Sequence, residues 1–256
     1  MRFNHIFKLT NENKTHREYK CNNVNINIDF ISDSALRVAV FNDNAKMLPT
    51  FTVNPNNNLS SLGRSRLSTD GFDCVAPVVE KFDNKEQFVL ACGVTVDLDL
   101  NNFILSYSKE SKILFGDRPP LAYNFEGEFG NGSYHYITRE DDEHIFGLGD
   151  KSGLINKAGR VYRIETADSM GFDAEKTDPL YKHVPFYICE NSVGAYGIYY
   201  DTTDTSFVDL GREINNYYCH FKYFKTDDDC LVYYVFFGNK LSVLQQYARL
   251  CGKQAF

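Results

Sequence analysis

A two-residue period recurs along this chain and limits its fold more than any other feature. Residues 24–30 (VNINIDF) place Val24, Ile26, Ile28 and Phe30 on one side, and residues 35–41 (ALRVAVF) do the same with Leu36, Val38 and Val40. Successive strand side chains point to opposite faces, so this spacing describes strands half buried against a core. Ile31-Ser32-Asp33-Ser34 between them is a turn, and the pair reads as a hairpin. Residues 88–100 alternate again through Val94, Val96, Leu98 and Leu100. Residues 103–107 and 112–115 return across Asn101-Asn102 and 108–111, an antiparallel meander that Pro119-Pro120 ends. Further strands are expected at 134–138, 161–164, 184–189, 194–200, 206–210, 217–224 and 230–237.

The aromatic complement fits. Tyr and Phe supply all of it (17 and 21, with no Trp), and such residues favour strands. One element departs from the period. Leu241, Leu244, Ala248 and Cys251 recur at helical spacing; Ser242-Val243-Leu244-Gln245 offers a capping box, Asn239 is a rival cap, and Gly252 is a fitting stop. The expected fold class is an all-β sandwich with one short helix near residues 240–251.

Composition excludes several functions. Net charge is −7, from 27 basic and 34 acidic residues, and no basic patch runs beyond a few residues, which argues against nucleic acid. The N-terminus carries no apolar signal region, and no run approaches the roughly eighteen apolar residues of a membrane span. No membrane partner is expected, and a cytoplasmic location is. The seven cysteines have no C-x-x-C spacing and the six histidines are scattered, so free thiols are expected, with no metal and no cofactor.

Residues 145–157 (IFGLGDKSGLINK) interrupt an apolar run with Gly147, Gly149 and Gly153. No convincing helix follows, so this is not a phosphate loop; the glycines are expected to serve close backbone approach or unusual φ. Residues 47–71 read as a surface excursion, residues 139–143 as an acidic turn, and the acidic turns 201–204 and 226–229 as solvated.

Residues 165–185 (ETADSMGFDAEKTDPLYKHVP) are the stretch expected to touch a substrate. They carry five acids, Glu165, Asp168, Asp173, Glu175 and Asp178, between two strands. A polar loop of this length inside a β chain is uncommon, and is either functional or disordered. Leu180, Tyr181 and the turn opener Thr177-Asp178-Pro179 decide for order.

Residues 146–150 (FGLGD), 151–160 (KSGLINKAGR), 166–168, 178–185 (DPLYKHVP), 236–238 and 246–256 (QYARLCGKQAF), in this order and spacing, resemble the N-terminal region of glycoside hydrolase family 31. That family includes α-glucosidases and α-xylosidases. The resemblance is strong from residue 145 to the end and weaker over 24–136. It implies a galactose-mutarotase-like β-sandwich over 1–238. Residues 239–256 would be the helix and linker leading to a catalytic (β/α)₈ barrel that this chain does not contain.

Other expectations follow from the same resemblance. The family's nucleophile and acid/base lie in the barrel, so no catalytic residue is expected here. The retaining mechanism needs two carboxyls about 5 Å apart, and no such pair is assignable. The chain is expected to serve a longer α-glycosidase, foremost an α-glucosidase, acting on α-linked oligosaccharides or glycosides and inactive without its barrel. Asp168 matches an aspartate that contacts sugar in the family, with Thr166 where Asn is common. Asp178 and Tyr181 complete the candidate substrate-binding set, a turn role for Asp178 and a packing role for Tyr181 being the competing readings. Two other functions stay open, a non-catalytic carbohydrate-binding module and a mutarotase-like epimerase. The second needs His135, His144 or His183 to face a carboxylate across a cleft.

Overall fold

The computed structural model describes residues 5–55, 63–127, 130–215 and 219–252. The first residues of the expected strand 217–224, part of the 47–71 excursion and the last residues of the 239–256 segment lie outside them. The described residues form two antiparallel layers. The first is an eight-stranded sheet. Its order is β1 (Lys8–Glu12), β2 (His16–Cys21), β3 (Val24–Phe30), β4 (Ala35–Asn42), β17 (Cys230–Gly238), β14 (Ala195–Tyr200), β13 (His183–Glu190) and β11 (His144–Gly149).

The second layer is built from two sheets. One is the meander β5 (Val78–Phe82), β6 (Lys85–Val89), β7 (Val94–Asp99), β8 (Ile104–Lys109) and β9 (Lys112–Gly116). The other runs β10 (Ser133–Thr138), β16 (Cys219–Thr226), β15 (Ser206–Asn215) and β12 (Val161–Ile164). A bridge between Asp117 and Ile137 joins them. The expected strand over 88–100 is two strands: Gly93, at φ +82°, turns the chain between β6 and β7.

The core lies between the layers, where Ile26, Val38, Ile198, Tyr233 and Val235 meet Phe88, Val96, Leu105, Ile137 and Phe224. Burying each large apolar side chain contributes about 1.5–3 kcal/mol. A second cluster covers the outer face of the first sheet, where Ala39, Phe186, Tyr199, Tyr234 and Phe236 pack under helix α1 (Lys240–Cys251) and Val53. Strands β14 and β17 are therefore buried on both faces. That explains why GAYGIYY and CLVYYVFF read as nearly continuous apolar runs rather than alternations.

Helix α1 is capped by Asn239, not by the Ser242–Gln245 box. The Asn239 side chain accepts from Ser242 N–H at 2.9 Å, and Ser242 Oγ accepts from Asn239 N–H at 2.9 Å. Of the expected set Cys251 packs on the second cluster, but the rest of the buried face is different. Val243 and Leu250 are buried and Tyr247 stacks on Phe186 at 4.0 Å, whereas Leu241 and Leu244 are exposed. Close approach decides this: a Cβ on Gly197 of β14 would lie 2.5 Å from Val243 Cγ1.

Two polar expectations change. The excursion over 47–71 is tied to the sheet by Arg37, all five of whose N–H donors are used. They reach Asp29 Oδ2 at 3.0 and 2.7 Å and the carbonyls of Arg66, Leu67 and Ser68 at 2.7–2.8 Å. Arg66 is itself buried against Asp228, 2.6 Å away, and Thr50 against Asp201, 2.8 Å away. Asp201 and Asp228 are thus internal anchors rather than solvated acids, whereas Asp227 and Asp229 are exposed as expected. In the third acidic turn Glu143 is buried against Lys222.

Candidate functional site

The site begins with the glycines before it. In β11, Gly147 has φ +122° and a Cβ there would lie 2.6 Å from the Phe186 carbonyl oxygen of β13. The pairing of β11 with β13 shifts between Gly147 and Gly149, and Leu148 between them also has positive φ (+70°). This is the close approach that the sequence pattern implied, a bulge that ends the strand and turns Asp150 and Lys151 towards the following loop.

Residues 165–182 leave β12 in the second layer and enter β13 in the first, so the excursion crosses one end of the sandwich. Its own turns hold it. Asp173 Oδ1 accepts from Glu175 N–H at 2.8 Å, and the Asp173 carbonyl accepts from Thr177 N–H at 3.0 Å. It is also fastened to the loop after β11. Gly153 N–H donates to the Ala174 carbonyl at 2.7 Å, and Asp150 N–H to the Lys182 carbonyl at 2.8 Å.

The four expected site residues divide. Asp168 and Thr166 are exposed on the outgoing limb. Tyr181, expected as a packing anchor, is 63% exposed, and the anchor is its neighbour Leu180 at 9%. The Tyr181 hydroxyl lies 3.2 Å from Asp168 Oδ1 and 3.1 Å from the Ser169 carbonyl, so it joins the two limbs. The Asp168 carboxylate raises the Tyr181 phenol above its ordinary pKa. Asp178 faces inward instead, with Oδ1 2.9 Å from Lys151 Nζ and Oδ2 accepting from Arg163 N–H at 2.6 Å. Its carboxylate is committed to the base of the excursion.

Between the limbs lies an open cavity of about 450 Å³ lined by Asp150, Lys151, Ser169, Phe172, Leu180 and Tyr181. Of the lining side chains Phe172 is 68% exposed; Met170, on the same limb, is 91% exposed, and Leu154 and Ile155, in the loop after β11, 70% and 81%. A carboxylate held outward beside such a surface can accept hydrogen bonds from hydroxyl groups in a site that a partner surface would dry. Among the described residues no cluster of three or more metal-ligating side chains is gathered.

The sequence did not single out Lys151, and it offered His135, His144 and His183 as candidates without the partners that the fold gives them. His135 is the clearest case. Its Nε2 lies 3.0 Å from Asp117 Oδ1 and its Nδ1 3.0 Å from the Tyr200 hydroxyl, partners distant in sequence. Both side chains are only 1% exposed, between the layers, so this pair faces no cleft that a sugar could enter. His144 is exposed and bonded to Asn156, and His183 meets Lys151.

The family model described as the glycosyl hydrolase 31 N-terminal galactose mutarotase-like domain matches residues 25–209. The chain belongs to this family. Among curated relatives, α-glucosidase 2 of Bacillus thermoamyloliquefaciens is 26% identical over 149 residues, which is 57% of this chain and 18% of that protein. The α-glucosidase of Saccharolobus solfataricus is 28% identical over 116 residues, covering 43% of this chain and 15% of that one. The match to these glycosyl hydrolase 31 relatives thus spans less than a fifth of their length.

Solved structures agree on the fold. A Flavobacterium johnsoniae GH31 dextranase complexed with glucose superposes with a TM-score of 0.78 at 22% identity, over 98% of this chain and 29% of that one. A glucosidase II alpha subunit superposes with a TM-score of 0.74 at 13% identity, over 100% of this chain and 35% of that one. The galactose-mutarotase-like sandwich is therefore the glycosyl hydrolase 31 N-terminal architecture, and among the described residues it carries one α-helix, α1.

Proposed function

We propose that this chain is the N-terminal domain of an α-glucosidase-type glycoside hydrolase and that residues 165–182 lend a wall to the sugar pocket of a catalytic barrel. Residues 1–238 are the sandwich, and 239–256 lead on to that barrel. Asp168 is the sugar contact, accepting hydrogen bonds from substrate hydroxyls, with Tyr181 and Thr166 beside it. Asp178 shapes the excursion. The observation that carries this reading is the exposed Asp168 carboxylate, bonded to the hydroxyl of Tyr181, a residue that lines the open cavity. Phe172 and Met170, both exposed on the outgoing limb, are apolar groups of the kind a covering surface buries.

The relatives support the substrate class, since those matched are α-glucosidases. The neighbouring dextranase was solved with glucose and, in a variant, with isomaltotriose. The cytoplasm is the compartment we assign, where the free thiols stay reduced. The reading is tested by assaying aryl α-glucoside hydrolysis by the full-length protein and by this chain alone. Turnover by the first and none by the second is expected. Turnover by this chain alone, abolished by changing one of its aspartates, would refute it.

A second reading, a carbohydrate-binding module, draws on Phe172 and Tyr181, two exposed aromatic side chains lining the same cavity. Saturable binding of maltose by this chain without any barrel would favour it.

A further inference from the structure

We propose that Lys151 is a positioning residue whose buried ammonium locks the two stems of the 165–182 excursion together and so sets where Asp168 stands. The inference rests on the reading of Asp168 as a sugar contact.

Lys151 lies just past the bulge that ends β11, and its side chain is fully buried. An ammonium has three donors and no acceptor. Here three acceptors surround it: the Arg163 carbonyl, Asp178 Oδ1 at 2.9 Å and His183 Nδ1 at 3.2 Å. Arg163 is on the outgoing stem, and Asp178 and His183 are on the returning one. The same Asp178 carboxylate closes the ring, since its Oδ2 takes the Arg163 N–H at 2.6 Å.

The histidine tautomer follows from its partners. His183 Nε2 lies 2.7 Å from the Leu180 carbonyl oxygen, which can only accept, so Nε2 carries the proton. Nδ1 is then a lone pair on a neutral ring, suited to the ammonium. Leu180 is the buried anchor of the returning limb, and the next residue, Tyr181, bonds Asp168. A short path of contacts therefore runs from Lys151 through His183, Leu180 and Tyr181 to Asp168.

Packing alone does not require this residue. A methionine would fill the same volume without desolvating a charge, and replacing a buried ion by an apolar side chain is often neutral when its partner is also accommodated. The cost of burial is visible in the lowered basicity of Lys151, which desolvation drives and Asp178 opposes. What a methionine cannot do is hold both stems at once.

The test uses the full-length protein carrying this chain. Lys151→Met, Asp168→Ala and the double variant are compared for kcat/KM on maltose and an aryl α-glucoside. Backbone hydrogen exchange over residues 165–182 is followed in parallel. Lys151→Met is expected to lower kcat/KM about tenfold, mainly through KM, to speed exchange, and to add little on top of Asp168→Ala. Lys151→Arg should restore part of the loss. If Lys151→Met does not fold, Asp178→Asn takes its place, keeping an acceptor for Arg163 N–H and removing the charge facing the ammonium. Unchanged exchange, or losses that simply add, would overturn the proposal. Should Asp168→Ala alone leave kcat/KM unchanged, the sugar reading is what fails. Exchange then decides the tie by itself: faster in Lys151→Met sustains it, and unchanged overturns it.

Discussion

The Tyr181 hydroxyl reaches back across thirteen residues of chain to Asp168 Oδ1, 3.2 Å away. That contact joins the limbs of an excursion running from one layer of the sandwich to the other. It orients a carboxylate that would otherwise turn freely in solvent. Tyr181→Phe keeps the ring and removes the bond. It should lower kcat/KM of the full-length protein by roughly two- to tenfold, with no change in unfolding midpoint. Equal kinetics for Tyr181→Phe and wild type would mean that the hydroxyl orients nothing.

Stability should depend more on the internal ion pairs than on any acid of the excursion. Lys222 Nζ lies 2.7 and 2.6 Å from the two Glu143 oxygens and 2.7 Å from the Tyr196 hydroxyl. The cluster links β16 in one layer to β14 in the other. Lys222→Met leaves a carboxylate buried and should destabilise by about 3–5 kcal/mol; pairing it with Glu143→Leu should recover most of that. Urea unfolding of the two single variants and the double measures this. Near-additive losses would show that the pair is not coupled.

Two histidines should give stability opposite pH dependences. His16 Nδ1 lies 2.6 Å from Asp29 Oδ1 and its Nε2 2.9 Å from Glu18 Oε1. The Asp29 bond raises its pKa, against burial, with help from Glu18. Its contribution is therefore full below the ordinary histidine value of about 6.5 and is lost as pH rises through the raised folded value. His183 is the reverse. Burial and then Lys151 lower its pKa, against the Leu180 carbonyl, Asp178 and Glu165. Its contribution is full above about 6.5 and is lost as pH falls through the lowered folded value. His16→Asn should flatten the alkaline side of a urea-midpoint profile between about pH 5 and 8, and His183→Asn the acid side. Parallel profiles for all three proteins would contradict the assignment.

Strand content was legible because period-2 alternation follows directly from one buried face, as in β7. The glycine cluster was legible as backbone geometry because only close approach explains three glycines in an apolar run. The helix face was not. Leu241, Leu244 and Ala248 share the spacing of Val243, Tyr247 and Leu250, and what chooses between them is the gap over Gly197, a tertiary fact. The acidic turns misled for a related reason. Asp201, Asp228 and Glu143 look solvated until Thr50, Arg66 and Lys222 arrive from distant parts of the chain. At the site, order in the excursion could be read from Leu180 and Pro179, but the partners of Asp178 could not. Lys151 sits among glycines in the sequence, and only the bulge of β11 turns it inward.

The central claim is that Asp168 touches sugar. Its loss opens no core cavity, since exposed substitutions usually change stability by less than about 0.5 kcal/mol. A lost hydrogen bond to a charged acceptor costs on the order of 1.5–3 kcal/mol, roughly ten- to a hundredfold in kcat/KM. The decisive measurement is kcat/KM of full-length Asp168→Ala across α-linked oligosaccharides, with Asp178→Ala as control. The account predicts a loss in that range for Asp168→Ala at an unchanged unfolding midpoint, and a lowered midpoint for Asp178→Ala. Wild-type kcat/KM for Asp168→Ala on every oligosaccharide the enzyme accepts would contradict it.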